Sequence, residues 1–264
     1  MPPTTDTTNP TSASASGADA LRALLSAPGP VPVVGVYDPL SARRAAHAGF
    51  EAVFVSGRSV AQAAFAVELP YVRAVDAAPY VAYVRLLCSA TNVPVIADAE
   101  DGLGDPIATC SALERAGAAA VQLQDVLESG EVLTTRAMCE TVRAVRASTG
   151  LVVVARTDVL ANDRPDALAR MRAYRDAGAE LVMAGLTPVA EEVHLGSKLL
   201  RQLADAARGA LVVFTPDGRR LLPLHALPDE VKVVLLTAAV VDHATRAVDE
   251  TLRHLLDLAG NRSA

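Results

Sequence analysis

The alternation of short apolar segments with amphipathic stretches is the feature that most restricts how this chain can fold. Eight segments of five or six mostly apolar residues, rich in Val, Ile, Leu and Ala, have the length and composition of buried strands. Stretches with helical spacing separate most of them, and three of the predicted helices run into a glycine that permits a left-handed helix end, at Gly49, Gly117 and Gly178. We predict strands at Val31–Val36, Glu51–Ser56, Val93–Asp98, Ala119–Gln124, Leu151–Arg156, Glu180–Ala184, Ala210–Thr215 and Val231–Leu236.

Strands this apolar are buried on both faces, which is typical of parallel sheets covered by helices. Eight of them alternating with helices predict the α/β fold class, as a (β/α)8 TIM-type barrel. An open doubly wound sheet is the alternative, although the first turn between strand and helix lacks the GxGxxG pattern of a dinucleotide-binding version. We predict one barrel domain over residues 18–264. Residues 1–17, rich in Thr, Ser, Pro and Ala, are predicted to form a disordered tail without the features of a secretory signal.

Bulk composition excludes several classes of function. The chain has 264 residues, of which 51% are hydrophobic, enough for one large core. A net charge of -6 without a basic run argues against a nucleic-acid partner, and no apolar run approaches the roughly 20 residues of a membrane span. The three cysteines (Cys88, Cys110 and Cys139) lie far apart, which fits a reducing cytoplasm. We therefore expect a cytoplasmic protein with a small-molecule ligand.

Three carboxylates and two glycines follow the third predicted strand. Strand alternation would send Asp98 and Glu100 to the same side, with Ala99 opposite. Two acids there repel each other unless a proton or a cation lies between them, and hard oxygen ligands suit Mg²⁺ or Mn²⁺. The alternative interpretation is a solvated acidic turn after the strand.

The predicted barrel fold helps to choose between the metal site and the solvated turn. Catalytic residues of TIM-type barrels lie at the carboxyl ends of the strands, where all strands open onto one mouth. Polar residues stand at most of these ends in the sequence, which favours the metal site over the solvated turn. They are Tyr37, Asp38, Ser56, Gly57, Asp98, Glu100, Gln124, Asp125, Arg156, Thr157, Asp158 and Thr215.

Five segments, in this order and spacing, give the chain a specific resemblance. It resembles the isocitrate lyase/phosphoenolpyruvate mutase superfamily along nearly its whole length beyond the tail. In that family, Mg²⁺ and an arginine hold the carboxylate and oxo group of a 2-oxo acid or its enolate. The matching segments are residues 37–43 (YDPLSAR), 48–57 (AGFEAVFVSG), 96–104 (IADAEDGLG), 116–125 (AGAAAVQLQD) and 154–158 (VARTD).

The resemblance implies a set of metal-site residues. Asp98 would bind the metal directly, and Glu100 would support it through water. Glu68 falls where the family has another metal-shell aspartate. Gln124 occupies the place of a metal-shell glutamate, so the lost charge should weaken metal affinity although an amide oxygen can still accept a hydrogen bond from a water.

The resemblance also implies a substrate site. Arg156 matches the substrate arginine, Thr215 is retained on the seventh strand, and Ser56, Gly57 and Arg58 match the turn whose N–H groups bind the substrate carboxylate. Breaking a bond next to a carbonyl leaves an enolate, and a divalent cation and a guanidinium stabilise the charge that develops on its oxygen. The alternative role for Arg156 is a salt bridge to Asp98 or Glu100 that only neutralises the mouth.

The sequence departs from the family where the lyases carry a mobile loop with a catalytic cysteine. Here Gln124-Asp125-Val126 runs almost directly into Leu127, and the predicted helices hold all three cysteines. The Asn-bearing loop of the phosphonomutase is also missing, so we do not expect standard isocitrate or methylisocitrate lyase activity. Ala184 and Val213 fall where the lyases have carboxylate-binding Glu and Asn. Their apolar character implies a substrate with fewer carboxylates or a larger apolar part.

Without that cysteine, the candidates for the acid–base residue are Tyr37, Glu128, Glu131 and Asp158. We favour Tyr37 and Glu128 because each could reach the mouth without an added loop. For Glu128 and Glu131, a solvated turn is the competing interpretation.

We therefore expect a Mg²⁺-dependent (or Mn²⁺-dependent) lyase that acts on a small 2-oxo acid through an enolate. A phosphonopyruvate-type P–C enzyme or an oxo-acid decarboxylase is one alternative, and a degenerate barrel that only binds its ligand is another. Retention of Asp98, Glu100 and Arg156 argues against the degenerate barrel. The resemblance also implies a homo-oligomer, a dimer or tetramer, consistent with the apolar stripe on Val241–Leu258.

Overall fold

Eight parallel strands close into a barrel in which each strand pairs with its neighbours in chain order and the last pairs with the first. The structure is a computed structural model that describes residues 16–67, 75–186, 197–215 and 224–258. It confirms the (β/α)8 barrel and excludes the open sheet. The strands are β1 (Val31–Val36), β2 (Val53–Val55), β3 (Val95–Asp98), β4 (Ala120–Gln124), β5 (Val152–Thr157), β6 (Leu181–Ala184), β7 (Leu211–Thr215) and β8 (Val231–Leu236).

Helices surround this barrel in the described ranges. They are α1 (Gly17–Ser26), α2 (Pro39–His47), α3 (Gly57–Phe65), α4 (Ala77–Ser89), α5 (Pro106–Ala116), α6 (Thr135–Ser148), α7 (Arg164–Asp176), α8 (Lys198–Ala207) and α9 (Ala239–Leu258), with a short 3-10 helix at Leu224–Ala226. Helix α3 was not predicted. Strand β2 is shorter than the predicted Glu51–Ser56 at both ends: it begins at Val53, and Ser56 is the N-cap of α3. The predicted helix over 191–207 is described only from Ser197, the N-cap of α8.

Local sequence explains where these helices begin and end. The Asp105 carboxylate accepts hydrogen bonds from the N–H groups of Ile107 and Ala108, and Pro106 starts α5 where no N–H is needed. Three glycines adopt the left-handed conformation expected after helices, with φ of 97° at Gly49, 104° at Gly117 and 106° at Gly178. These caps turn the chain back toward the next strand.

The barrel interior is a packed core. Its lining leaves a cavity of only about 10 Å³, too small for a ligand. Gln122 is the polar member of the lining, and its amide points toward the carboxyl end of β3, where it meets Asp98. The lining side chains belong to Phe54, Ile96, Gln122, Val154, Leu181, Met183, Val212, Val233 and Leu235. Chemistry is therefore confined to the ends of the barrel.

Within the described ranges, no helix is both long and apolar enough to cross a membrane. The disordered tail and the boundary at residue 18 stay predictions, because residues 1–15 lie outside the described part of the chain.

Closure of the barrel depends on a glycine in β1. A Cβ atom at Gly35 would lie 1.9 Å from the carbonyl oxygen of Thr237, just beyond β8. We expect Gly35→Ala to lower the free energy of unfolding by about 1–3 kcal/mol, because the backbone at this contact cannot move aside without disturbing the pairing of β1 with β8. Urea denaturation measures the change.

Gly17→Ala is the matched control, because a Cβ atom there would meet only the Ala119 side chain at an ordinary 3.4 Å. Equal stability of the two variants would show that the contact at Gly35 does not limit closure.

Candidate active site

The carboxyl ends of the strands form a mouth at which buried charged groups meet. In register, Gln124 of β4 lies beside Arg156 of β5, and Arg156 lies beside Met183 of β6. Met183 lines the barrel interior, so Arg156 and Gln124 also face inward. Asp98 ends β3 on the same side, next to Gln122.

Asp98 is the carboxylate most tightly held at the mouth. Its Oδ1 accepts hydrogen bonds from Gln122 Nε2 at 3.0 Å and from the N–H of Glu100 at 3.2 Å, and its Oδ2 accepts from the N–H of Gly57 at 3.3 Å. The fully buried Tyr80 hydroxyl donates to the Asp98 carbonyl at 2.6 Å. Burial raises the pKa of Asp98, while the charge of Arg156 and the backbone hydrogen bonds oppose that shift.

Glu100 reaches the mouth through a turn. Strand β3 ends at Asp98, so strand alternation does not extend to Glu100, and Glu100 instead takes the left-handed conformation with φ of 50°. Its carbonyl accepts the N–H of Gln124 at 2.8 Å, and the residue is 3% exposed. The alternative interpretation of a solvated acidic turn therefore does not hold for Glu100, which is buried. The side chain of the next residue, Asp101, accepts the N–H of Glu128 in the connection after β4.

Arg156 is oriented by a carboxylate and an aromatic ring. Its Nε and NH2 lie 2.9 Å and 2.7 Å from Asp158 Oδ1, and its guanidinium carbon is 5.8 Å from the centre of the Phe214 ring. Burial disfavours its charge, but Asp158, Asp98 and Glu100 outweigh burial and raise the pKa of Arg156. The salt bridge that the structure shows is thus to Asp158, whereas the alternative interpretation named Asp98 or Glu100.

Ser56, Gly57 and Arg58 form the first turn of α3. The Ser56 hydroxyl accepts the N–H of Ser59 as an N-cap, and Gly57 directs its N–H at Asp98. Arg58 is exposed. The amino terminus of a nine-residue helix therefore faces the mouth, where its N–H groups favour a negative charge.

The candidate acid–base residues lie in different surroundings. Tyr37 is partly buried at the end of β1, and burial and Asp38 raise its pKa. Glu128 and Glu131 are exposed in a hairpin, and the Glu128 N–H donates to Asp101 Oδ2 at 3.0 Å. Asp158 is engaged with Arg156. The exposed hairpin favours the solvated-turn interpretation for both glutamates.

The connection after β4 is short, as the sequence indicates. Val126 pairs with Val132, and Leu127 N–H donates to Glu131 O at 2.8 Å, which closes a tight hairpin. The three cysteines lie in α4, α5 and α6. Burial raises the pKa of Cys88 to about 11 and that of Cys110 to about 12, so these thiols are protonated at neutral pH. None replaces the cysteine of the lyase loop.

Two positions compared with the lyases in the sequence analysis, Ala184 and Val213, do not face the mouth. Val213 is buried away from the mouth, because its neighbours Val212 and Phe214 face inward. Ala184 likewise lies on the outer side, next to the inward Met183. At the following residue, Gly185, a Cβ atom would lie 2.0 Å from Asp158 Oδ1. Phe214 and Gly185 are therefore the neighbouring residues that face the mouth.

Two predicted site residues are not described in full. Glu68 lies outside the described residues, and of Thr215 only the backbone at the end of β7 is described.

In the described ranges, no cluster of three or more His, Cys, Asp or Glu side chains could hold a metal. Asp98, Glu100 and the amide oxygen of Gln124 nevertheless supply hard oxygen donors at one place. They fit Mg²⁺, which is commonly bound by one or two carboxylates and several waters. The Gln124 amide nitrogen is held by the Val126 carbonyl at 3.2 Å.

A buried hydrogen-bond network around Asp125, which the sequence analysis did not predict, holds two of the strand ends that form the mouth. Asp125 is fully buried, and its Oδ2 accepts from the Tyr174 hydroxyl at 2.7 Å and from Arg170 NH1 at 3.2 Å. Its Oδ1 accepts the Asp158 N–H at 3.1 Å, and Arg170 also donates to the Leu133 carbonyl at 2.7 Å. One carboxylate therefore joins the ends of β4 and β5 to α7 and the hairpin. The one sequence signal was a charged residue directly after β4.

Comparison with known proteins now gives the family. Residues 21–256 match the phosphoenolpyruvate phosphomutase family. The chain belongs to this family. It is 35% identical over 178 residues to "Probable 2-methylisocitrate lyase 2" of Corynebacterium glutamicum, a match that covers 62% of this chain and 57% of that protein. It is also 35% identical over 160 residues to "Oxaloacetate decarboxylase 2" of Pseudomonas putida, covering 56% of this chain and 52% of that protein.

A solved structure of 2,3-dimethylmalate lyase, described as a PEP mutase/isocitrate lyase superfamily member, is similar over the whole barrel. It superposes with a TM-score of 0.80 at 26% identity, covering 95% of this chain and 90% of that chain. The predicted superfamily resemblance is confirmed. Each of the two sequence matches spans little more than half of the relative's length.

The Asp125 network predicts an unequal response to removing two carboxylates that share one arginine. We expect Asp125→Asn to lower the free energy of unfolding by about 3 kcal/mol, because the 11%-exposed Arg170 side chain loses a fully buried partner. Asp166→Asn removes the 38%-exposed partner of Arg170 and should cost below about 1 kcal/mol. Chemical denaturation of both variants gives the comparison, and equal losses would contradict a central role for Asp125.

Proposed function

We propose that this protein is a Mg²⁺-dependent lyase-type enzyme that acts on a small 2-oxo acid or related carboxylate through an enolate. The observation that carries the proposal is the buried pairing of opposite charges at the mouth. The Asp98 and Glu100 carboxylates are buried and the Arg156 cation beside them is partly buried, an arrangement that is costly unless the charges serve a ligand. The names of the relatives, which are lyases and decarboxylases, support the same class of reaction.

The proposed roles follow from these contacts. Bound Mg²⁺, held by Asp98 and supported by Glu100, Gln124 and Glu68, would act as a Lewis acid on the substrate's oxo group. Arg156 meets Asp158 through its Nε–NH2 edge, so NH1 is the edge that would address a substrate oxygen. The N–H groups at the start of α3, with the Ser56 hydroxyl and the Arg58 charge nearby, would receive the substrate carboxylate. Thr215, at the end of β7, is the further substrate-binding residue in this proposal, as the family resemblance implies.

Of the proposed steps, proton transfer has the fewest contacts in the structure to support it. Tyr37 is the better of the two favoured candidates, since it is partly buried at the end of β1, whereas Glu128 is exposed in the hairpin. The raised pKa of Tyr37 keeps its hydroxyl protonated, so it would serve as a proton donor to the enolate.

The short hairpin after β4 favours oxo-acid decarboxylation as a second candidate. Retro-aldol cleavage needs a base to take a proton from the hydroxyl of the departing group. Loss of CO₂ from a carboxylate on C3 of a 2-oxo acid needs no such base, because the electron pair of the bond to that carboxylate passes into the C2 oxo group and forms the enolate. A mouth with a metal ion and an arginine to stabilise the enolate, but with no cysteine in the connection after β4, suits this reaction. Incubation with substituted 2-oxo acids, with separate measurement of CO₂ and of aldehyde or ketone products, distinguishes the two.

Oxalate binding tests whether the enolate site exists, because oxalate is a planar mimic of enolpyruvate. We expect calorimetry to show oxalate binding that requires Mg²⁺ and that is abolished by Asp98→Asn, since the amide cannot supply the charge for the metal. Asp105→Asn is the control, because it removes the same charge from an exposed helix cap that Asn also satisfies. If the wild-type protein binds neither Mg²⁺ nor oxalate, the barrel is a non-catalytic binding protein.

The surface of α9 supports the proposal of a homo-oligomer. Val248, Leu252, Leu255 and Leu256 follow helical spacing on one face, and each is more than half exposed. Val241 is the buried residue of this helix in the described ranges. The apolar stripe therefore does not pack on its own barrel, and a second copy of the chain is a suitable cover.

Charge on this stripe should separate the copies. We expect light scattering after size exclusion to give a dimer or tetramer for the wild type and 27.4 kDa, the mass of one chain, for Leu252→Glu/Leu255→Glu. Arg253→Glu, on the same turn, is the control for a charge change alone. A wild-type mass of one chain would refute the oligomer.

A further inference from the structure

A second cavity, of about 370 Å³, lies at the amino-terminal end of the barrel, opposite to the mouth. It is bounded by α1, by the end of α7 and by the first residues of β6, β7 and β8. Its floor is apolar, formed by Leu25, Leu181 and Ala210. No residue proposed above for metal or substrate binding lines it, so any ligand here would be bound independently of the active site.

The charged walls of this cavity are mainly positive. Arg22, Arg175 and Lys232 line it, and Glu180 is the acidic residue of the lining. Glu180 accepts hydrogen bonds from Arg22 Nε and NH2, both at 2.9 Å, and a further short contact from Arg146 NH1. Two arginines thus share this carboxylate, which leaves little of its charge to balance the rest of the wall. The excess of positive charge contrasts with the net charge of -6 of the whole chain.

Arg175 is held where its charge is unfavourable. Its NH1 donates to the carbonyls of Glu180, at 2.7 Å, and Ala179, while its buried Nε lacks a hydrogen-bond partner among the described residues. Burial and the neighbouring Arg208 lower the pKa of Arg175, although Glu180 and Asp176 oppose the shift. An anion in the cavity would relieve this electrostatic cost.

Lys232 supplies a flexible donor to the same space. It is one of the two lysines in the chain, the other being Lys198 on α8. It lies on β8 and is partly buried, and among the described residues it forms no ion pair. A lysine with a buried stem can turn its ammonium group toward the cavity and offers three N–H donors to an oxyanion.

We propose that this cavity binds a small, doubly charged oxyanion. Inorganic phosphate and short dicarboxylates share that chemistry, and Arg and Lys are the side chains that recognise it. The bound anion would be held chiefly by Lys232 and Arg175. Because it would bind the folded chain and not the unfolded one, it would stabilise the barrel in proportion to its concentration.

NMR of the lysine side chains can locate the anion. Reductive methylation with ¹³C-formaldehyde labels Lys232, Lys198 and the terminal amine while keeping their charge, and Lys232→Arg assigns the signals. Titration with phosphate, at constant ionic strength in NaCl, should shift the Lys232 signal saturably and leave Lys198 unmoved. A parallel titration with malonate decides between the two classes of anion. If neither anion shifts the Lys232 signal, the proposal is wrong.

Calorimetry on unlabelled variants gives the second test. Lys232→Gln should weaken binding of the effective anion about tenfold or more, because a charge-assisted hydrogen bond is lost. Lys232→Arg should retain most of the affinity, and Lys198→Gln should bind as the wild type does. Unchanged affinity in Lys232→Gln would overturn the proposal, and thermal denaturation without anion checks that each variant is folded.

Discussion

Burial of both faces of the β-strands is the constraint on which the rest of this structure depends. Because apolar residues fill the barrel and its outer side, polar groups can gather only at the strand ends. At the carboxyl ends, each buried charge must find a partner within the protein or in a ligand. Asp98 has three hydrogen-bond donors, and Arg156 has Asp158 and the Phe214 ring. The site is thus assembled before any ligand arrives, which limits the reorganisation that catalysis would require.

Asp125 connects the strand ends at the mouth to helix α7 through Arg170 and Tyr174. Its backbone N–H donates to the Arg156 carbonyl and its carbonyl accepts the Leu133 N–H, so its side chain and its main chain both tie β4 to β5 and to the hairpin. Burial and Asp125 raise the pKa of Tyr174, which keeps its hydroxyl protonated and able to donate. The hairpin is therefore tied to α7 through the hydrogen bond from Arg170 to the Leu133 carbonyl.

The proposed function combines a metal and Arg156, which would stabilise an enolate, with a short connection after β4 that contains no cysteine. Under that proposal, a leaving group that must be deprotonated would find no cysteine there to accept its proton. Phe214 and Gly185 give this mouth an aromatic wall beside Arg156 and a close approach of the backbone to Asp158. One fold can support different substrates through such differences in its site, so the substrate must be found by experiment.

Much of the fold could be predicted from the chain alone, because periodic apolar residues and caps act locally. The eight strands, the start of α5 at Pro106 and the glycine at Gly117 depend on neighbours within a few residues, and the structure has all of them. The gathering of Asp98, Glu100, Gln124 and Arg156 at one mouth followed from the barrel topology. Local sequence patterns did not predict α3, because Ser56 and Gly57 are equally typical of a turn.

Only the tertiary structure decided which side chains hold one another. Gln122 looked like part of a strand, and its hydrogen bond to Asp98 depends on the register of β3 against β4. The approach of the Phe214 ring to Arg156 and the placement of Arg175 and Lys232 around one cavity depend on strand register and on elements distant in sequence. The sequence by itself determined the barrel and its charged residues, because these follow from local periodicity. Partners and side-chain directions were decided by closure of the barrel, because a shift of one residue exchanges the inner and outer faces of a strand.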